Sequence, residues 1–160
     1  MTPNEVDVMQ TIDTAARTRY STLEGFELPA TAPATAPERF ASGKTFVAEW
    51  QGIPTGFILV QPLDDMAYIA NVSVLPGASG RGIGETLLLS AEVHAKEQDL
   101  VAVTLATFKS PPWNGPWFKR CGYVPIPEED IGPDHKAILD RHATVLDMST
   151  RELLWKQTHP

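Results

Sequence analysis

The sequence predicts an α/β (α+β) fold built on a mixed, mostly antiparallel sheet, and three observations carry that prediction. Two β-rich runs, Lys44 to Trp50 and Thr55 to Pro62, flank Gln51-Gly52-Ile53-Pro54 and read as an antiparallel hairpin. A third run, Ala67 to Leu75, leads through a glycine turn into a helical pattern and then into the apolar run Leu100 to Phe108. Strand, crossover helix and strand in that order make a parallel βαβ pair. With 160 residues, 42% of them hydrophobic, there is material for one compact core but not for two, so residues 1–160 are expected to form a single domain.

Each element has its own signal. Thr2-Pro3-Asn4-Glu5 has the pattern of a capping box with proline at the first helical position, and Glu5, Val8/Met9, Ile12, Ala16 and Tyr20 follow at helical spacing. A helix is therefore expected almost at the N-terminus. From Pro29 to Pro37 the Pro-Ala-Thr repeats disfavour helix and sheet and predict an extended loop. Asp64-Asp65 forms the turn before the third strand, which is rich in β-branched residues. In the following helix Ile83, Leu87, Ala91 and His94/Ala95 share one face, while Glu85, Glu92, Lys96 and Asp99 share the other, as on a helix lying against a sheet. Asn114-Gly115-Pro116 caps a short helix running through Cys121 and stopped by Gly122; Pro133 to His142 reads as another short helix, and Arg151 to Gln157 as a last strand.

Twenty acidic against 13 basic residues give a net charge of -7 without any basic run, which argues against nucleic acid and anionic membranes as partners and suits an amine substrate. The one cysteine, Cys121, forms no internal disulfide, and no signal segment or membrane-length apolar run is seen, so a cytoplasmic location is expected. His94, His135, His142 and His159 have no partners at metal-site spacing, so no metal is assigned.

The functional signal lies between Leu75 and Leu89. Gly80, Gly82 and Gly84 punctuate the passage from strand to helix, where backbone N–H groups can approach a ligand closely and the helix dipole favours a pyrophosphate. The spacing fits neither the Gly-x-Gly-x-x-Gly dinucleotide pattern nor the Gly-Lys-Ser/Thr of a nucleotide P-loop.

The order of elements, with Ser79-Gly80-Arg81-Gly82-Ile83-Gly84 preceded by Val72-Ser73-Val74-Leu75-Pro76, resembles the GNAT superfamily of acyl-CoA-dependent N-acetyltransferases. A second block, Pro112-Trp113-Asn114-Gly115-Pro116-Trp117-Phe118-Lys119-Arg120-Cys121-Gly122-Tyr123, is similar to the short helix and Gly-aromatic turn on the far side of that family's cofactor, in a bacterial Trp-Asn-x-Pro variant. The resemblance covers Lys44 to the C-terminus. It implies a central twisted sheet with helices on both faces, the parallel pair at the cofactor site, and acetyl-CoA as cofactor. It also implies cofactor contacts from Val72, Ser73, Val74, Ser79, Gly80, Arg81, Gly82, Ile83, Gly84, Glu85 and Asn114. By family analogy a homodimer is expected.

Acyl transfer to an amine needs a neutral nitrogen, a stabilised oxyanion and a leaving thiolate. By resemblance the strand Val72-Ser73-Val74 splays from its neighbour at Leu105 and pairs with the pantetheine arm, with N–H groups near Ser73 and Val74 beside the thioester carbonyl. Asn71 and Ser73 are the catalytic candidates, Asn71 standing where many relatives place a carboxylate base; an amide orients water but does not accept the proton. Glu49 and Asp130 are alternative bases. Three departures from the family stand out: Ser79 replaces a Gln or Arg, leaving Arg81 to supply the phosphate contact, Phe118 replaces the tyrosine that protonates the thiolate, and the family's first strand is hard to find. Tyr123 and Tyr68 carry hydroxyls, but Tyr123 occupies a packed aromatic position; Trp113 and Trp117 either pack or stack on substrate, and Cys121 reads as a small buried apolar residue. Glu128-Glu129-Asp130 is a solvated acidic loop or a lure for a cationic amine. The expected activity is acetyl transfer from acetyl-CoA to a primary amine of a small molecule or peptide. The alternatives are a non-catalytic acyl-CoA-binding module and a nucleotide-binding regulator.

Overall fold

The computed structural model describes residues 1–25 and 35–159. Residues 29–34 of the loop predicted from Pro29 to Pro37 therefore lie outside the described residues, and Pro37 itself opens a short helix rather than ending a loop. The helices are α1 (Pro3–Arg17), α2 (Pro37–Ala41), α3 (Ile83–Glu97), α4 (Gly115–Arg120) and α5 (Pro133–Ala143). The strands are β1 (Lys44–Trp50), β2 (Ile53–Leu63), β3 (Met66–Val74), β4 (Ala102–Phe108), β5 (Val124–Pro125) and β6 (Arg151–Gln157), in the sheet order β1-β2-β3-β4-β6-β5. β1 and β2 are antiparallel, β3 and β4 parallel through Ala67↔Val103 and Tyr68↔Thr104, and β6 antiparallel to both β4 and β5. This is the mixed sheet with one parallel βαβ pair that the sequence predicts.

Local chemistry explains the elements. Thr2 and Glu5 form the reciprocal capping box, the Thr2 N–H donating to Glu5 Oε2 at 2.6 Å and the Glu5 N–H to Thr2 Oγ1 at 3.3 Å. The β1–β2 turn is tighter than predicted. Gln51 and Gly52 alone bridge it, both at positive φ (52° and 77°), the pairing that suits the strand twist, so Ile53 and Pro54 already belong to β2. Asp64 and Asp65 repeat that conformation between β2 and β3 (φ 48° and 61°). Gly122 follows α4 at φ 92°, as its stop position demands. Among the described residues no strand precedes α1, which is why the family's first strand eluded the sequence.

The chain divides into two compact units, residues 1–61 with 70–91, and residues 62–69 with 92–160. In the first, Met9, Ile12, Phe40, Phe57 and Leu59 form a buried cluster extended by Val6, Ala70 and Leu75. In the second, Met66, Ala102 and Ile126 pack with Ile131, Leu153 and Trp155. β5 exists only through its pairing with β6, Val124↔Trp155 and Pro125↔Leu154. Cys121 is half-buried rather than buried, since it caps α4 at its exit.

Candidate active site

Most of the predicted site residues fall in the first unit, where β3 runs into the glycine turn and α3. Pro76–Ala78 form one 3-10 turn, closed by the Ala78 N–H to Leu75 O (2.9 Å) and the Ser79 N–H to Pro76 O (3.2 Å). The chain then reverses at Gly80 (φ 77°) and Gly82 (φ 74°), and Thr86 N–H to Gly82 O (3.0 Å) closes the first turn of α3. A Cβ at Gly80 or Gly82 would meet nothing within 4 Å, so this backbone borders open space. The N–H groups of Ile83, Gly84 and Glu85 stand in the first helical turn, where no intrahelical acceptor exists for them. An open, left-handed glycine turn followed by a helix start fits a diphosphate.

Two arginines border the turn. Arg19, in the 3-10 segment Thr18–Thr22 after α1, donates from Nη2 to Ser79 Oγ at 2.8 Å. Arg81 lies with its guanidinium 5.1 Å from the centre of the Trp50 ring at the tip of the β1–β2 hairpin. The sequence singled out Arg81; Arg19 gave no local signal, because its partner is 60 residues away.

Upstream on β3, Asn71 and Ser73 stand together in a network that the sequence did not reveal. Ser73 Oγ donates to Asn71 Oδ1 (2.8 Å) and lies 3.3 Å from Asp13 Oδ1; Asn71 Nδ2 donates to Thr35 Oγ1 (2.6 Å). Asp13 Oδ2 accepts from the Thr35 N–H (2.7 Å) and Thr35 Oγ1 (3.0 Å), while Arg17 adds a fork at 3.0 and 3.2 Å. Burial pushes the Asp13 carboxyl up, yet the hydrogen bonds from Arg17 and the Thr35 backbone, with the Arg17 charge, hold it below the usual carboxylate range. Asp13 is thus the carboxylate at Ser73. Glu49, a sequence candidate for that role, is exposed on β1. β2 passes tightly here: a Cβ on Gly56 would stand 2.9 Å from the Ser73 carbonyl oxygen.

The second block falls in the other unit. Asn114 occupies the N-cap position of α4, but its side chain makes no capping bond; Nδ2 donates to Thr107 Oγ1 at 3.1 Å. Phe118 is buried, edge-on to Trp117 (4.8 Å) and Tyr123 (5.9 Å). Tyr123 is 1% exposed, its hydroxyl 3.3 Å from Glu92 Oε1, and burial with the Glu92 charge pushes its pKa far up. Such a phenol is a packing residue with a polar anchor. Asp130 is exposed on the 3-10 turn Glu128–Asp130. Asp64 accepts from the Asp134 and His135 N–H groups at the start of α5 and pairs with His135 Nδ1 at 2.8 Å, while His135 Nε2 meets Thr104 Oγ1 at 2.7 Å. His135 is therefore a satisfied core histidine, and among the described residues no cluster of metal-binding side chains occurs.

The family model described as the acetyltransferase (GNAT) family matches residues 9–123. Solved structures share the fold at low identity. A PaiA N-acetyltransferase from Thermoplasma acidophilum in complex with coenzyme A superposes with a TM-score of 0.71 at 12% identity, over 98% of this chain and 95% of that one. A GNAT-family acetyltransferase from Staphylococcus aureus Mu50 gives 0.69 at 13%, over 99% and 96%. The ribosomal-protein-S18-alanine N-acetyltransferase from Escherichia coli gives 0.66 at 13%, over 99% and 90%.

Proposed function

Since the chain belongs to the GNAT family of acetyl-CoA-dependent N-acetyltransferases, we propose that it acetylates a primary amine of a small molecule or peptide by direct attack of the free amine. The observation that carries this reading is the open turn at Gly80 and Gly82, placed between β3 and the start of α3. Bound acetyl-CoA supplies the activated acyl group and a thiol leaving group.

The chain's own residues then have three tasks. Amides from Gly80 to Glu85 hold the diphosphate. The backbone of Val72, Ser73 and Val74 takes the pantetheine arm as an added strand, and an N–H aimed at the acyl oxygen contributes about 2.7–4 kcal/mol of transition-state stabilisation. Asn71 and Ser73 act as fixed dipoles, since the nearby carboxylate, Asp13, is committed to Arg17 and Thr35. A carboxylate of low pKa has little pull on an ammonium proton, so the amine gives up its proton to water before it attacks. Phe118 offers no proton, and the thiol, with a reference pKa of about 8.5, departs as thiolate. A net charge of -7 favours the approach of a cationic acceptor.

Incubation of the native protein with acetyl-CoA and a panel of polyamines, aminosugars and peptides, followed by free-thiol release and mass spectrometry of the acceptor, tests the reading. Acetylation of a primary amine is the expected outcome. Cofactor binding with no turnover on any amine of the panel would contradict it.

A further inference from the structure

From the contact between Arg19 and the glycine turn, we propose that Arg19 is a diphosphate-binding residue, supplying from outside the turn the positive charge that grips coenzyme A. The inference rests on acetyl-CoA as acyl donor, and native affinity for coenzyme A tests that separately.

Charge is needed at this place. A diphosphate at a helix start gains from backbone N–H groups and the dipole, but charge-assisted bonds from a guanidinium are about twice as strong as neutral ones. Within the turn, the amides of Ala78 and Ser79 are committed to Leu75 O and Pro76 O, so the contribution of this half of the turn has to come from a side chain. Ser79 offers only a hydroxyl, and that hydroxyl accepts from Arg19 Nη2 at 2.8 Å. The contact fixes the Arg19 guanidinium one residue before Gly80, beside the backbone that faces open space.

Arg81, the other cation of the turn, is disposed differently. Its guanidinium sits over the Trp50 ring, at the tip of the β1–β2 hairpin, and Trp50 is itself 45% exposed. That places Arg81 toward the hairpin. Arg19 is half-buried, anchored in the 3-10 segment that continues α1, and so enters the site with less conformational freedom to lose.

Titration calorimetry with coenzyme A, 3′-dephospho-coenzyme A and pantetheine separates this role from a structural one. Arg19→Ala is expected to weaken the first two ligands alike, by about 10–100-fold, because both keep the diphosphate. Pantetheine, which lacks it, is expected to bind the variant as it binds the native protein. Adding Ser79→Arg to Arg19→Ala is expected to restore much of the lost affinity by putting a guanidinium back on the turn. Should Arg19→Ala fail to fold, Arg19→Gln keeps a donor for Ser79 without the charge, and the same expectations hold. Coenzyme A affinity within twofold of native in folded Arg19→Ala or Arg19→Gln, an equal loss for pantetheine, or no recovery on adding Ser79→Arg would overturn the proposal.

Discussion

Ser73 Oγ lies 3.3 Å from Asp13 Oδ1, tying the strand that enters the glycine turn to the first helix across 60 residues of sequence. Through this contact and the two Thr35 bonds, one buried carboxylate orders α1, β3 and the residue that resumes the described chain. An ionised group so placed is stabilising only while each of its bonds is made.

Asp13→Asn therefore costs stability. Replacing an acceptor of several hydrogen bonds by an amide that satisfies only some of them is expected to remove about 1.5–3 kcal/mol, read as a lower urea midpoint at unchanged slope. A variant as stable as the native protein would deny Asp13 its organising role.

The pH dependence of that stabilisation has a definite sign. Asp13 titrates below its unfolded value of about 3.9, so the folded protein binds fewer protons there than the unfolded chain. Its contribution is complete above that unfolded value and is lost as pH falls through the folded one. The gap in urea midpoint between native and Asp13→Asn should be constant from pH 7 to pH 5, in round figures, and narrow below about pH 4. A gap that widens on acidification would mean the shift has the opposite direction.

Turnover should follow the acceptor rather than a side chain. Without a base of suitable pKa in the Asp13 network, log kcat/KM is expected to climb with a slope of about one until the amine's own pKa, about 10.4 for a lysine-like acceptor. A bell with an acidic limb near pH 6–7, about where a tuned base titrates, would reveal a general base that this account lacks.

Gly132 and Asp64 are coupled by space. A Cβ on Gly132 would stand 2.6 Å from both Asp64 carboxylate oxygens, at a φ of -76° that any residue adopts. Gly132→Ala is expected to destabilise by about 1–3 kcal/mol in the native background and by much less when Asp64 is already alanine. Strict additivity in that double-mutant cycle would show that the clash relaxes elsewhere.

Much of the fold was legible because its signals are local. The Thr2/Glu5 capping box, the Asp64-Asp65 turn and the span Arg151–Gln157 each follow from residues a few positions apart. What escaped depends on distant partners or on length. The α2 helix has five residues and begins inside a proline-rich run, and β5 has two residues defined by β6. The site divides the same way. Gly80 and Gly82 announce themselves by spacing, whereas Asp13 and Arg19 read as ordinary polar residues of an amphipathic segment until Ser73 and Ser79 are brought to them. Asn114 illustrates the converse: the sequence placed it at a helix start, but Thr107, on the neighbouring strand β4, takes its side chain.

The account depends most on the turn at Gly82, where φ is 74°, a Cβ would meet nothing within 4 Å, and the diphosphate is proposed to bind. The direct measurement is calorimetric titration of coenzyme A into the native protein and into Gly82→Val, with circular dichroism to verify that the variant is folded. Strong binding by the native protein and at least a tenfold loss in the folded variant, about 1.4 kcal/mol or more, is the predicted result. Equal affinity in both, or none in the native protein, would contradict it.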